Sequence, residues 1–344
     1  MTATQATGRL GSRSSHVVVA GLLLGASIAV IVGTAFTTEE PVPGIPAPGP
    51  FVNYGVPIVR VLLDVAASLV VGLSLLPKLL GFDRPDRTEP VMRRAREAAV
   101  TAAWGWALAA FTAIVLQTAE LYPDRFPTPG LVMQYVGDVG AGQGLLLSGA
   151  CALAYAGLGL LAVRFGEKVP AELRIIVAFF GLLPIPVTGH AVNSVWHDPI
   201  MIGMEFHVMG SAAWVGGLLA VILFVARDRE LLARALPKFS KVATVCLAVV
   251  GVSGLISGLS TIALTPGTEL PGSLFTTGYG ILVLAKVACV ALLIPLAAHI
   301  RFRLLPAVVA RRGTAVMAWA ATEITVMGVA YGVAVVLTRA SVAG

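Results

Sequence analysis

The chain of 344 residues is 57% hydrophobic and only 12% charged, and apolar runs recur along its whole length. Runs near or above the about 20 residues that cross a bilayer make it an integral membrane protein and leave no soluble domain. The net charge of +6 does not mark a nucleic-acid binder, because the basic residues fall almost entirely in short loops at alternate crossings.

With no water in the bilayer core, backbone groups must pair internally, so the spans are helices. The expected fold class is an all-α integral membrane protein, one polytopic bundle over residues 1–344 with about nine transmembrane helices. Their expected positions are 16–36, 56–77, 98–119, 139–163, 172–191, 200–226, 241–263, 278–300 and 314–338.

The first span follows Arg9 and Arg13, the pattern that begins a signal peptide. The TAFTTEE that comes next is a poor cleavage site, so a retained anchor is expected. Residues 1–55 then comprise an anchor span and a proline- and glycine-rich outer loop, TTEEPVPGIPAPGPFVNYG. Span two carries Arg60 and Asp64, four residues apart and able to pair on one helix face. Around the start of span four, GDVGAGQG lacks the Lys-Ser/Thr of a phosphate loop. His190 ends span five, and His197 and Asp198 lie in the short outer loop after it. Met201, Met204, Glu205, His207 and Met209 occupy the first turns of span six. Gly254 and Gly258 in span seven, like Gly21 and Gly25 in span one, form GxxxG pairs that let helices approach closely. Lys286 lies in span eight, Glu323 and Met327 in span nine, and Lys286 and Glu323 can pair across helices. His16 and His299 sit at the cytoplasmic ends of their spans as interface residues. Cys151, Cys246 and Cys289 lie singly in apolar runs and are packing residues rather than a disulfide or zinc framework.

Orientation follows from lysine and arginine. Twenty fall on one side: Arg9 and Arg13, then the loops within 78–96, 164–174, 227–241 and 301–312. The other side has only Arg125 and Arg339, while Arg60 and Lys286 fall inside spans. This bias puts the N-terminus in the cytoplasm and the C-terminus outside.

Charged groups inside a membrane are costly and face the bundle interior. Arg60, Asp64, Lys286 and Glu323 therefore form an expected intramembrane polar path, or internal ion pairs that fix packing. Imidazole and thioether together suit copper; thioether favours the cuprous ion, and a histidine-carboxylate set leans cupric. Met201 and Met204 are three apart, as are Met204 and His207, so each pair can share a helix face. His190 can fold back toward His207 across the short loop. The expected metal set is His190, His207, Met201, Met204 and Glu205, with His197 assisting capture. No Ser-His-Asp pattern, nucleophile elbow or H-E-x-x-H helix is present, and no enzyme is expected.

These residues carry a resemblance. FHVMGSAAWVGGL (206–218) resembles the histidine-tryptophan-GG segment of the copper resistance protein D family, and TGHA (188–191) its upstream GHA element. SGLISGLSTI and then TTGYGILVLAKVACVALLIPLAAHIRFRLLP resemble the family's small-residue helix and its T-x-YG…LLxK…R segment. The latter carries over to Thr277, Tyr279, Gly280, Lys286 and Arg301. The resemblance covers residues 185–338; before that only the hydropathy pattern agrees. It implies a multi-pass bacterial inner-membrane protein that handles copper, moving it inward from a separate extracytoplasmic copper-binding protein. Some relatives carry fused copper-binding or oxidase-assembly domains, which this chain does not show. Two rival readings stand beside it: a membrane cytochrome with haem on His190 and His207, and an assembly factor whose polar cluster only fixes packing.

Overall fold

The computed structural model describes residues 3–38, 43–44, 46–188, 197–310, 312 and 315–342, with side chains from 17 onward except those of 187–188 and 197–199. Among these residues twelve α-helices follow in chain order: α1 (Ala3–Thr37), α2 (Pro50–Leu80), α3 (Pro85–Leu121), α4 (Pro129–Asp138), α5 (Gly140–Phe165), α6 (Ala171–Phe180), α7 (His197–Ala220), α8 (Arg229–Leu264), α9 (Ser273–Thr276), α10 (Gly278–His299), α11 (Leu305–Val309) and α12 (Val316–Leu337). No strand occurs among the described residues. Among the described residues eight helices are long and apolar enough to cross a membrane, so the chain is an all-α polytopic membrane protein.

The difference from the expected nine lies in span five. Residues 172–191 do not form one helix: α6 stops at Phe180, turns follow, and Ile185–Thr188 is a short 3-10 turn. Pro184 and Pro186 lack the N–H groups a continuing helix needs. The segment nevertheless runs from the basic end of the bundle toward the other. Glu172 pairs with Lys78 at the end of α2, whereas Pro184 packs on Gly144, one turn into α5, and Ile185 lies beside Arg60. Ten helical residues span only about 15 Å, so irregular backbone completes the path. Such backbone is tolerated at membrane depth only inside protein. Accordingly Leu182, Pro184, Ile185 and Pro186 are buried, and the Arg60 guanidinium donates to the Ile185 carbonyl at 3.3 Å.

Two helices run longer than their apolar windows. α3 starts at Pro85 and α8 at Arg229, well inside the basic loops. There, charge pairs replace hydropathy: Arg93 with Glu97, Arg96 with Glu89 and Glu167, and Arg84 and Arg87 with Glu230. Asp228 caps α8, its carboxylate accepting from the N–H groups of Glu230 and Leu231. At the other end of the bundle Arg339 pairs with Glu120. Tyr135 of α4 donates to Gln117 at 2.7 Å, and burial together with nearby Glu120 pushes its phenol up to about 12.

Small residues set the helix spacing. α1 lies along α12; a Cβ on Gly25 would stand 2.9 Å from the Thr325 carbonyl oxygen, and one on Gly328 2.3 Å from that of Leu22. The tightest crossing is between α2 and α7, where a Cβ on Gly216 would meet the Ser68 carbonyl oxygen at 1.7 Å and one on Gly72 the Gly216 oxygen at 1.9 Å. Buried polar pairs tie α2, α3 and α5 together: Tyr155 donates to Ser74 at 2.6 Å and Trp106 to Ser148 at 3.0 Å.

Candidate functional site

α7 delivers one imidazole into the bundle. His207 is 6% exposed although both chain neighbours are more open. The ring fits because α8 offers a glycine opposite it: a Cβ on Gly254 would lie 2.8 Å from His207 Cε1. The GxxxG of span seven thus makes room for a side chain as well as for a helix.

Hydrogen bonds assign the tautomer. Ser253 Oγ lies 2.5 Å from the Val249 carbonyl, which accepts its hydrogen. Its lone pair is left to accept from His207 Nδ1 at 3.0 Å. With the proton on Nδ1, Nε2 carries a free lone pair. Lys286 Nζ stands 3.5 Å from it, and an ammonium can only donate. A histidine held by one nitrogen and presenting the other is the arrangement that metal ligands adopt.

A polar stripe on α2 faces this group. Arg60, Asp64 and Ser68 follow at four-residue spacing on one helix face. Arg60 pairs with Asp64 at 3.2 Å. Ser68 donates to the Asp64 carbonyl at 2.7 Å and accepts from Tyr331 of α12 at 2.8 Å. The Asp64 carboxylate is near enough to Lys286 to act on it electrostatically. Glu323 on α12 is 4% exposed and does not reach Lys286, which pairs with His207 instead. Its carboxylate lies against the Trp214 indole, whose buried Nε1–H makes no geometrically sound hydrogen bond. Met327, one turn further along α12, is fully buried.

The remaining expected ligands are distributed as follows. Met201 is buried and Met204 half-buried, within two turns before His207 on α7, while half-buried Glu205 is two residues before it and so projects from a different face. His197 opens α7, so it belongs to the helix and not to a loop, and its side chain lies outside the described set. His190 lies outside the described residues altogether. Among the described residues no three His, Cys, Asp or Glu side chains cluster as a metal site. At the basic end His299 stacks on Trp319 with ring centroids 4.1 Å apart. All three cysteines are buried and free.

The segment at 277–301 mixes roles. Thr277 caps α10 by accepting from the Gly280 N–H at 3.0 Å. Gly280 is a close-approach residue, since a Cβ there would lie 2.2 Å from the Ser273 oxygen. Arg301 donates to the Ser240 carbonyl at 3.2 Å and to Thr244, holding α8 near the end of α10. Of this segment, Lys286 alone enters the polar group around His207.

Sequence reasoning did not single out Ser253, Ser68 or Tyr331. Ser68 carried a signal, being four residues beyond Asp64 on the same face. Ser253 opens the SGLISGLSTI segment, but its role, like that of Tyr331, was hidden because only helix packing brings the two to His207 and Ser68.

Residues 51–195 match the family model for the copper resistance protein D-like N-terminal domain, and residues 233–337 that for copper resistance protein D. The similarity thus extends over the half where hydropathy alone had agreed. "Copper resistance protein D" of Pseudomonas syringae pv. tomato is 28% identical over 162 residues, 43% of this chain and 50% of the relative. "Copper transport protein CutJ" of Bacillus subtilis (strain 168) is 33% identical over 118 residues, 32% of this chain and 20% of the relative. The chain therefore spans half the length of one relative and a fifth of the other. No solved structure matches it.

Proposed function

We propose a function from one premise: the chain belongs to the copper resistance protein D family. It is a copper-handling membrane protein, and its role is to carry copper inward across the cytoplasmic membrane of a bacterium. Copper arrives on the outer face, where a separate extracytoplasmic protein hands it over. Met201 and Met204, with Glu205 and the histidines at 190 and 197, receive it along the first turns of α7. His207 Nε2 is the first ligand below the surface. Asp64 and then Glu323 provide the anionic steps that follow, Asp64 held in place by Arg60.

The observation that carries this reading is the orientation of His207. Ser253 takes Nδ1–H, and Nε2 keeps an unprotonated lone pair that faces the Lys286 ammonium of α10. Placing such a group inside a bilayer is costly, and the Asp64 carboxylate of α2 acts electrostatically on the lysine beside it. A site of imidazole and thioether prefers the cuprous ion.

The test is copper accumulation in cells carrying a His190→Ala, His207→Ala double variant. Accumulation at the level of cells without the protein is expected; accumulation equal to wild type removes the assignment. A reduced-minus-oxidised spectrum of the purified protein separates the cytochrome reading, which requires haem bands.

A further inference from the structure

The lone pair that would bind copper already has a partner. Lys286 Nζ lies 3.5 Å from His207 Nε2, the nitrogen that the Ser253 hydrogen bond leaves unprotonated. One lone pair cannot serve an ammonium hydrogen and a copper ion together. Two cations a few ångströms apart in a low-dielectric interior also repel strongly. A receiving carboxylate is at hand: Lys286 is half-buried, and the Asp64 carboxylate of α2 lies within its electrostatic reach. Asp64 is itself pinned by Arg60, so the receiving carboxylate stays in place while the lysine moves.

We propose that Lys286 is a tethered competitor for the copper position, its ammonium and the copper ion excluding one another at His207 Nε2. Copper entry drives the ammonium toward Asp64. The returning ammonium weakens the copper–imidazole bond, so the same residue that lowers affinity promotes release onward. The inference rests on the reading of His207 as a copper ligand and adds a residue that tunes the site without touching the metal.

The experiment titrates purified full-length protein in detergent with copper, cuprous and cupric in turn, buffered by a chromophoric chelator. Lys286→Leu removes the competitor and is expected to bind copper about tenfold tighter than wild type, the strength of one charge-assisted hydrogen bond. Lys286→Arg keeps a cation and is expected to bind as wild type. Should the leucine variant fail to fold, Lys286→Gln decides, with a smaller tightening because its amide still donates but carries no charge. Leucine or glutamine variants that bind no tighter than wild type, while His207→Ala loses binding, overturn the competition and leave the copper site standing. A His207→Ala protein that binds like wild type overturns the copper site itself, and the competition with it.

Discussion

Ser253→Ala separates a tuned ligand from a merely buried one. In the wild type the Ser253 hydroxyl is committed to the Val249 carbonyl at 2.5 Å, so it can only accept from His207 Nδ1 at 3.0 Å. Removing it takes away the group that fixes the tautomer. A buried donor left unpaired costs about 1–3 kcal/mol, and loss of the partner behind a metal-binding histidine costs about 10–100-fold in affinity. Because the Val250 carbonyl also lies within reach of the ring, the lower end applies: copper binding weaker by about tenfold, or ~1.4 kcal/mol. The measurement is the same chelator competition on purified protein, with thermal melting as a check on folding. A folded Ser253→Ala protein that binds copper within twofold of wild type would refute the account of how His207 is poised.

Other outcomes follow from the same geometry. Gly216→Ala puts a methyl 1.7 Å from the Ser68 carbonyl oxygen, so α2 and α7 must part; a loss of about 2 kcal/mol or more, of the kind overpacking produces, is expected as a lower melting temperature. Arg60→Ala strips Asp64 of its partner and the Ile185 carbonyl of a donor, and should cost about 3 kcal/mol. Arg339→Ala at the bundle end should cost about 1 kcal/mol or less by the same melting assay. Glu323→Gln keeps the shape of the buried side chain and removes its charge; it should leave melting near wild type and slow copper uptake on the order of tenfold, ~1.4 kcal/mol on the barrier.

Hydropathy was enough to locate eight of the nine expected spans among the described residues, because burial in lipid demands long unbroken apolar runs. Span five shows where that logic stops. Its residues are apolar from Ile175 to Val187, yet Pro184 and Pro186 deny it a helix, and the buried backbone is stabilised in part by Arg60 from another span. The prolines were visible in the sequence; their rescue by a distant guanidinium was not. The same holds at the site. His207 stood out as a ligand-type side chain on an apolar helix, and Arg60 and Asp64 paired as their spacing implied. Lys286 could be read as a counter-charge, but Glu323 and not His207 was its expected partner. Which of two facing helices supplies the neighbour depends on packing rotation, and here Gly254 lets the imidazole turn toward α8 and α10.

The most direct test is radioactive copper uptake into proteoliposomes at equal reconstitution of wild-type and His207→Ala protein. Accumulation above protein-free vesicles for wild type, and none for the variant, is the predicted result. Equal accumulation by the two proteins would contradict the claim that copper passes through the His207 imidazole.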